Sequence, residues 1–157
     1  AMEWSGQHAA DIRWMEYALE LARLAGARGE VPVWAVVIQD GEIVAEGHNL
    51  TIGNRDPTAH AEVLAIRAAA SPRSRSRLRV CTLYATLEPC AMCAGALVLS
   101  RIERLVFGAL DPKSGMVTSL GNLVQEPRLN HRLEVTGEIL SEASGELLRD
   151  FFRSRRG

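Results

Sequence analysis

The stretch from Val80 to Ala109 constrains the fold more than any other part of the chain. Val80 to Leu87 is an apolar, β-rich run. Pro89 follows, where its fixed φ and missing N–H suit the opening of a helix that continues to about Ser100. Arg104 to Ala109 is a second strand-like apolar run. Two strands joined through one helix make a βαβ unit, whose strands are parallel and whose crossover is right-handed. The rest of the chain has to be compatible with such a unit.

Ile12, Met15, Leu19, Ala22 and Ala25 fall on one side of a predicted helix over Asp11–Ala27, with Asp11 as N-cap and Gly26 and Gly29 near the end. Val31 to Ile38 and Ile43 to His48 flank the hairpin signal Asp40-Gly41. Asn49 to Pro57 reads as a loop, His60 to Ala70 as a helix, and Ser71 to Arg79 as a basic loop carrying Arg73, Arg75, Arg77 and Arg79. Leu110 to Asn130 is a long, glycine-containing segment of the kind that carries function. A short strand over Leu133–Gly137 and an amphipathic helix with a basic end over Ser141–Arg153 complete the chain. The order α-β-β-α-β-α-β-loop-β-α predicts an α/β fold, a mixed five-stranded sheet in three layers with helices on both faces. A site is expected where strands pass into helices, because helix starts present free N–H groups there.

A length of 157 residues fits one domain, residues 1–157, with residues 1–10 as an N-terminal extension whose Ala1, before Met2, reads as a cloning remnant. With 47% hydrophobic and 24% charged residues, the chain has enough apolar surface to exclude disorder throughout. No apolar run approaches the roughly 20 residues that cross a bilayer, and no secretory leader is apparent. Three cysteines do not make a disulfide framework, which points to a reduced, cytoplasmic location. The formal net charge of -1 gives no sign of nucleic acid, so any basic surface must be local.

Two short segments carry chemistry: His60-Ala61-Glu62 and Pro89-Cys90-Ala91-Met92-Cys93, each at a predicted helix start. Cys90 and Cys93 are three apart and share a helical face, where the dipole and a metal both favour thiolates. His60 adds a nitrogen ligand. Three protein ligands leave a fourth position open, which distinguishes a catalytic zinc site from a structural one. Glu62, two residues after His60, is placed to shuttle a proton without binding the metal. Each half alone is weak. An isolated C-x-x-C divides evenly between redox, metal and inert readings, and H-x-E alone is mostly noise. Together they make the zinc-deaminase pattern H-x-E…P-C-x-x-C.

The chain resembles the bacterial tRNA-specific adenosine deaminases beyond this pattern. The similarity is carried by Asp56 through Glu62, Thr86 through Ala96, Val31-Pro32-Val33, Ser100-Arg101-Ile102, Phe107-Gly108-Ala109, Asn130-His131-Arg132 and Asp150-Phe151-Phe152-Arg153, and runs from about Ile12 to Arg156. It implies the cytidine deaminase-like fold, a homodimer, and hydrolytic conversion of adenosine to inosine at the wobble position of a tRNA anticodon stem-loop. It also implies one Zn2+ per chain on His60, Cys90 and Cys93, with Glu62 as proton shuttle. Asn49 matches a base-contacting asparagine and Asp111 an aspartate near the target sugar. Ala61, Lys113 and Arg153 join them as candidate substrate contacts, and Arg155 and Arg156 extend the basic end. One departure stands out. A small residue usually follows Val-Pro-Val, and here Trp34 does. Strand alternation turns Trp34 away from Val33, toward a packed helix rather than the substrate pocket. Either smaller neighbours accommodate it or the position is engineered.

Competing readings are a deaminase of a free base or nucleoside (guanine or cytosine type), an engineered variant acting on single-stranded DNA, a zinc-stabilised RNA-binding module, and a redox protein. Glu62 argues against the third and His60 against the fourth. Cys81 and Met92 are expected in the core, His8 in solvent, and His48 at the surface or hydrogen-bonded. His131 divides evenly between RNA contact and local capping. Without the resemblance, Asn49 would be a turn residue and Asp111 a turn initiator before Pro112.

Overall fold

Buried β-runs and the short turns between them organise the chain around one sheet. The computed structural model describes residues 2–73 and 78–156, with the side chains of residues 2–5, 71–73 and 156 outside the description. The elements are α1 (Met2–Ala27), β1 (Trp34–Gln39), β2 (Glu42–His48), α2 (Ala61–Arg73), β3 (Thr82–Leu87), α3 (Ala91–Ser100), β4 (Arg104–Ala109), β5 (Glu134–Thr136) and α4 (Ser141–Arg156). Strand order is β2-β1-β3-β4-β5. β1 runs antiparallel to β2 and β3, while β3/β4 and β4/β5 are parallel. The sheet is therefore mixed, and β3-α3-β4 is the expected βαβ unit.

Side-chain alternation along β1 divides the core into two. Val33, Ala35 and Val37 join Ala61, Ala65 and Ala69 of α2 and Ala94, Leu97 and Val98 of α3. Val36 and Ile38 face the other way, with Met15 and Ala18 of α1, Tyr84 and Val106. The alanines of α2 have little side-chain bulk, which lets that helix lie close to the hairpin. Gly47 marks the tightest point, where a Cβ would sit 2.4 Å from the Ala61 carbonyl oxygen. Among the described residues no helix is long and apolar enough to cross a membrane.

Several expected boundaries move, each for a physical reason. α1 begins at Met2 rather than Asp11, since residues 2–10 contain no proline and a single glycine to stop it. Asp11 is accordingly not an N-cap but a buried carboxylate. It accepts hydrogen bonds from both terminal nitrogens of the Arg104 guanidinium at 2.8 and 2.6 Å and from the Tyr84 hydroxyl at 2.7 Å. β1 starts three residues after Val31, because Pro32 has no N–H for a ladder. β3 starts at Thr82, with Val80 57% exposed and Cys81 buried. α2 continues through Arg73, into the segment expected as a basic loop. Arg75 and Arg77 of that segment lie outside the described residues, and Arg79 is exposed. The segment from Leu110 to Asn130 is more than a surface loop, because Val117 and Val124 are buried in the α2/α3 side of the core.

The Asp11–Arg104 pair ties α1 to β4 across the sheet. Removing one partner of a buried pair leaves the other charge uncompensated, at a cost of about 3–5 kcal/mol. Asp11→Ala should lower unfolding stability by that amount in a denaturant titration. A loss below ~1 kcal/mol would mean the pair contributes no more than a surface bridge.

Candidate active site

α2 and α3 start at the same end of the sheet, and their first residues meet. His60 immediately precedes α2, and Cys90 is the N-cap of α3 in extended conformation (φ -76°, ψ -179°). Cys93 lies one turn further on. The His60 Nδ1 is 3.6 Å from each sulfur. The three ligand atoms lie within 4.8 Å of one another, and they form the one such His/Cys/Asp/Glu group among the described residues.

These residues fit a zinc ion. One imidazole and two thiols make a borderline-soft donor set. The edge of a tetrahedron with zinc–nitrogen and zinc–sulfur bonds is roughly 3.4–3.7 Å, and the 3.6 Å separations match it. Three donors leave one tetrahedral corner for a non-protein ligand.

The start of α2 is satisfied from within the site. Asn49, just after β2, accepts the Ala61 N–H on Oδ1 at 2.8 Å. The Glu62 N–H faces its own carboxylate, and the Val63 N–H faces the Cys93 sulfur. One donor that a helix start normally leaves free, the Ala61 N–H, is thus committed to a site residue. Glu62 is only 4% exposed. Burial pushes its carboxyl up to about 7, against the opposing pull of its own N–H and of His60. A carboxyl poised near neutrality can both take and give a proton.

The two thiols are moved in opposite directions. The Cys93 thiol, followed by the backbone N–H of Cys93, the nearby His60 and the N–H of Met92, outweighs burial and lowers Cys90 to about 5. Cys93 is pushed upward by its bond to Cys90 and by burial. Cys90 is therefore the more acidic of the two thiols.

The other predicted residues are less uniformly gathered. Asp111 begins a turn: its carbonyl accepts from Ser114 and Gly115, and its carboxylate from the Lys113 N–H at 3.3 Å. That segment reaches the site through a backbone bridge between Gly115 and Cys90. Lys113 is exposed. Arg153 is exposed on α4 and pairs with Asp150 at 3.2 Å. His131 has its Nε2 2.7 Å from the Ile102 carbonyl, 29 residues back in the chain. Met92, expected in the core, is 37% exposed, because the face of α3 opposite Cys93 points outward. Cys81 is buried, its sulfur 3.8 Å from the Gln39 Oε1.

Trp34 lies on the α1 side of the sheet, packed against the cluster that includes Met15 and Ala18. Its indole N–H donates to Glu46 at 2.9 Å, Glu46 also accepts from Tyr17, and the ring stacks on His48 with centroids 4.7 Å apart. Glu88 is the functional candidate that the sequence reading passed over. An acidic residue at the end of a buried strand, before Pro89, was the available signal. It is 1% exposed and accepts hydrogen bonds from Asp111, Val117, Thr118 and Ser119.

The mixed five-stranded sheet is that of solved deaminases of the cytidine deaminase-like class. Residues 9–156 match the MafB19-like deaminase family. A tRNA-specific adenosine deaminase of Haemophilus influenzae is 50% identical over 147 residues, 93% of this chain and 85% of that protein. One from Bacillus subtilis is 49% identical over 146 residues, 93% of this chain and 91% of that protein. A solved structure from work on A-to-I editing by tRNA:A34 deaminases at the wobble position of transfer RNA is similar with a TM-score of 0.82. It is 43% identical and matches 87% of this chain and 99% of its own. A guanine deaminase from Nitrosomonas europaea is more distant, at 29% identity and a TM-score of 0.76, covering 87% of this chain and 81% of its own. The chain belongs to the tRNA-specific adenosine deaminases, within the MafB19-like deaminase family.

The lowered pKa of Cys90 makes a test. After chelation, alkylation of Cys90 should be near its maximum rate at pH 7 and fall as pH drops through about 5, since the thiolate is lost only below the lowered pKa. A rate that keeps rising tenfold per unit up to pH 8 would contradict the assignment.

Proposed function

We propose that this chain is a zinc-dependent hydrolase that converts adenosine to inosine at the wobble position of a tRNA anticodon. The observation that carries the reading is the His60–Cys90–Cys93 group with buried Glu62 beside it. Its place in a chain half identical to named tRNA-specific adenosine deaminases supports the substrate class.

His60, Cys90 and Cys93 hold the zinc, and a zinc ion so held supplies a Lewis acid that brings the pKa of water to about 7. Glu62 moves the proton. Its carboxylate accepts one from the attacking water and returns it toward the base and the departing amine, so that adenine loses ammonia and gains oxygen at C6. Asn49 orients the base. Its Oδ1 is fixed by the Ala61 N–H, which turns Nδ2 toward an acceptor on the substrate. Ala61 is fully buried with its N–H engaged, so its part is to shape the pocket wall. Asp111 takes the ribose 2′-OH as acceptor, a contact that distinguishes RNA from DNA. Lys113 and Arg153 meet phosphates, as does Arg155, whose guanidinium lies 4.8 Å over the Phe151 ring. The whole of 1–157 acts as one deaminase domain in the cytoplasm, where its tRNA is. The apolar Met92 and 76% exposed Leu99 on α3 provide surface for a second copy in a homodimer.

Incubation with a tRNA bearing a wobble adenosine, followed by sequencing, should find inosine at that position. No inosine, with ammonia released from guanine or cytosine instead, would assign the site to a free-base deaminase. Glu62→Ala should keep the zinc and lose ~10²–10⁴ in turnover, whereas zinc loss would make Glu62 a ligand. Arg153→Ala with Arg155→Ala should flatten the salt dependence of tRNA binding by roughly 0.7–0.9 in log–log slope per lost phosphate contact. An unchanged slope would make them solvated helix residues only.

A further inference from the structure

Glu88 stands one residue before Pro89-Cys90, and its backbone N–H donates to Ala109 at 2.8 Å. Its carboxylate turns into the segment that follows β4. Oε1 accepts the Asp111 N–H at 2.9 Å and the Ser119 hydroxyl at 2.5 Å. Oε2 accepts the N–H groups of Val117, Thr118 and Ser119 at 3.1, 2.7 and 2.9 Å. One carboxylate thus collects five donors from two ends of a loop. No cation neutralises it among the described residues, so the donors themselves offset its burial.

The loop is fitted to this anchor. A Cβ on Gly115 would lie 2.2 Å from the Glu88 Cδ, so only glycine passes there. Gly115 in turn bridges to Cys90, and the Met116 N–H donates to the Pro89 carbonyl at 2.9 Å. The same carboxylate therefore fixes where Asp111 stands relative to the start of α3.

We propose that Glu88 is a positioning residue for the RNA substrate: by clamping residues 111–119 onto the start of α3 it presents the 111–113 edge of the loop already ordered. An ordered edge spares the substrate the entropy of organising a loop on binding. The proposal rests on the reading that this edge meets substrate.

Glu88→Gln tests it. Glutamine has one acceptor oxygen and a donor NH2, so the backbone N–H groups on one side of the clamp must face a donor. With one zinc retained, KM for a wobble-adenosine stem-loop should rise about tenfold, kcat should stay within about twofold, and amide exchange at Asp111 or Val117–Ser119 should accelerate. Combined with Asp111→Asn, the two KM effects should be non-additive, as expected of residues acting through one contact. Ser119→Ala, which removes one donor and keeps the carboxylate, should shift KM the same way by a smaller factor and guards against misfolding of the first variant. Faster exchange with KM unchanged in both variants would overturn the proposal, leaving Glu88 a fold residue. So would full additivity with an Asp111→Asn that by itself raises KM. If Asp111→Asn alone leaves KM at the wild-type value, the sugar contact is wrong while a tenfold rise in Glu88→Gln still supports the clamp.

Discussion

Everything at the site depends on two helices beginning at one place. β3 and β1 are antiparallel neighbours, so the end of β3, the start of β1 and the end of β2 share an edge of the sheet. α3 departs from the end of β3, and α2 starts after the loop that leaves β2. The small side chains of α2 and the bare Cα of Gly47 let that helix come close enough for His60 to reach the two cysteines. A helix start is already a place of partial positive charge, suited to thiolates and to a carboxylate. Here Asn49 accepts the Ala61 N–H at the start of α2, so a candidate site residue also caps the helix that supports the site.

The protonation pattern follows from that placement. Glu62 is buried deeply enough to be neutral or charged near pH 7, while Cys90 keeps its charge well below that. Burial raises the Glu62 carboxyl while the neighbouring Cys93 thiol lowers Cys90, and groups so separated take different chemical roles. On the proposed function the low-pKa group would be a ligand and the group near neutrality the proton carrier.

The sequence made much of this legible because its strongest signals were local. Val80–Leu87, Pro89 and Arg104–Ala109 describe a βαβ unit by periodicity and punctuation alone, and β4 occupies the expected residues. The short motifs around His60 and around Cys90 and Cys93 were each legible at a helix start, while their meeting depends on the pairing of β1 with β2 and β3. Asp11 was misread since nothing local separates an N-cap from a carboxylate that waits for Arg104, 93 residues away. Glu88 was invisible for the same reason, as its partners lie 23 to 31 residues on, in a segment without periodicity. Met92 was misplaced because spacing gives a helical face but not which face the sheet covers. Trp34 is intermediate: strand alternation gave its side of the sheet, while its stack on His48 and its bond to Glu46 depend on the pairing of β1 with β2.

One histidine and two cysteines would make an open metal site. X-ray absorption at the zinc edge of the purified, metal-loaded protein reads that donor set directly. The account predicts two sulfur scatterers and two light ones, one of them with the outer-shell signature of an imidazole. Three sulfurs, or a first shell without sulfur, would contradict it.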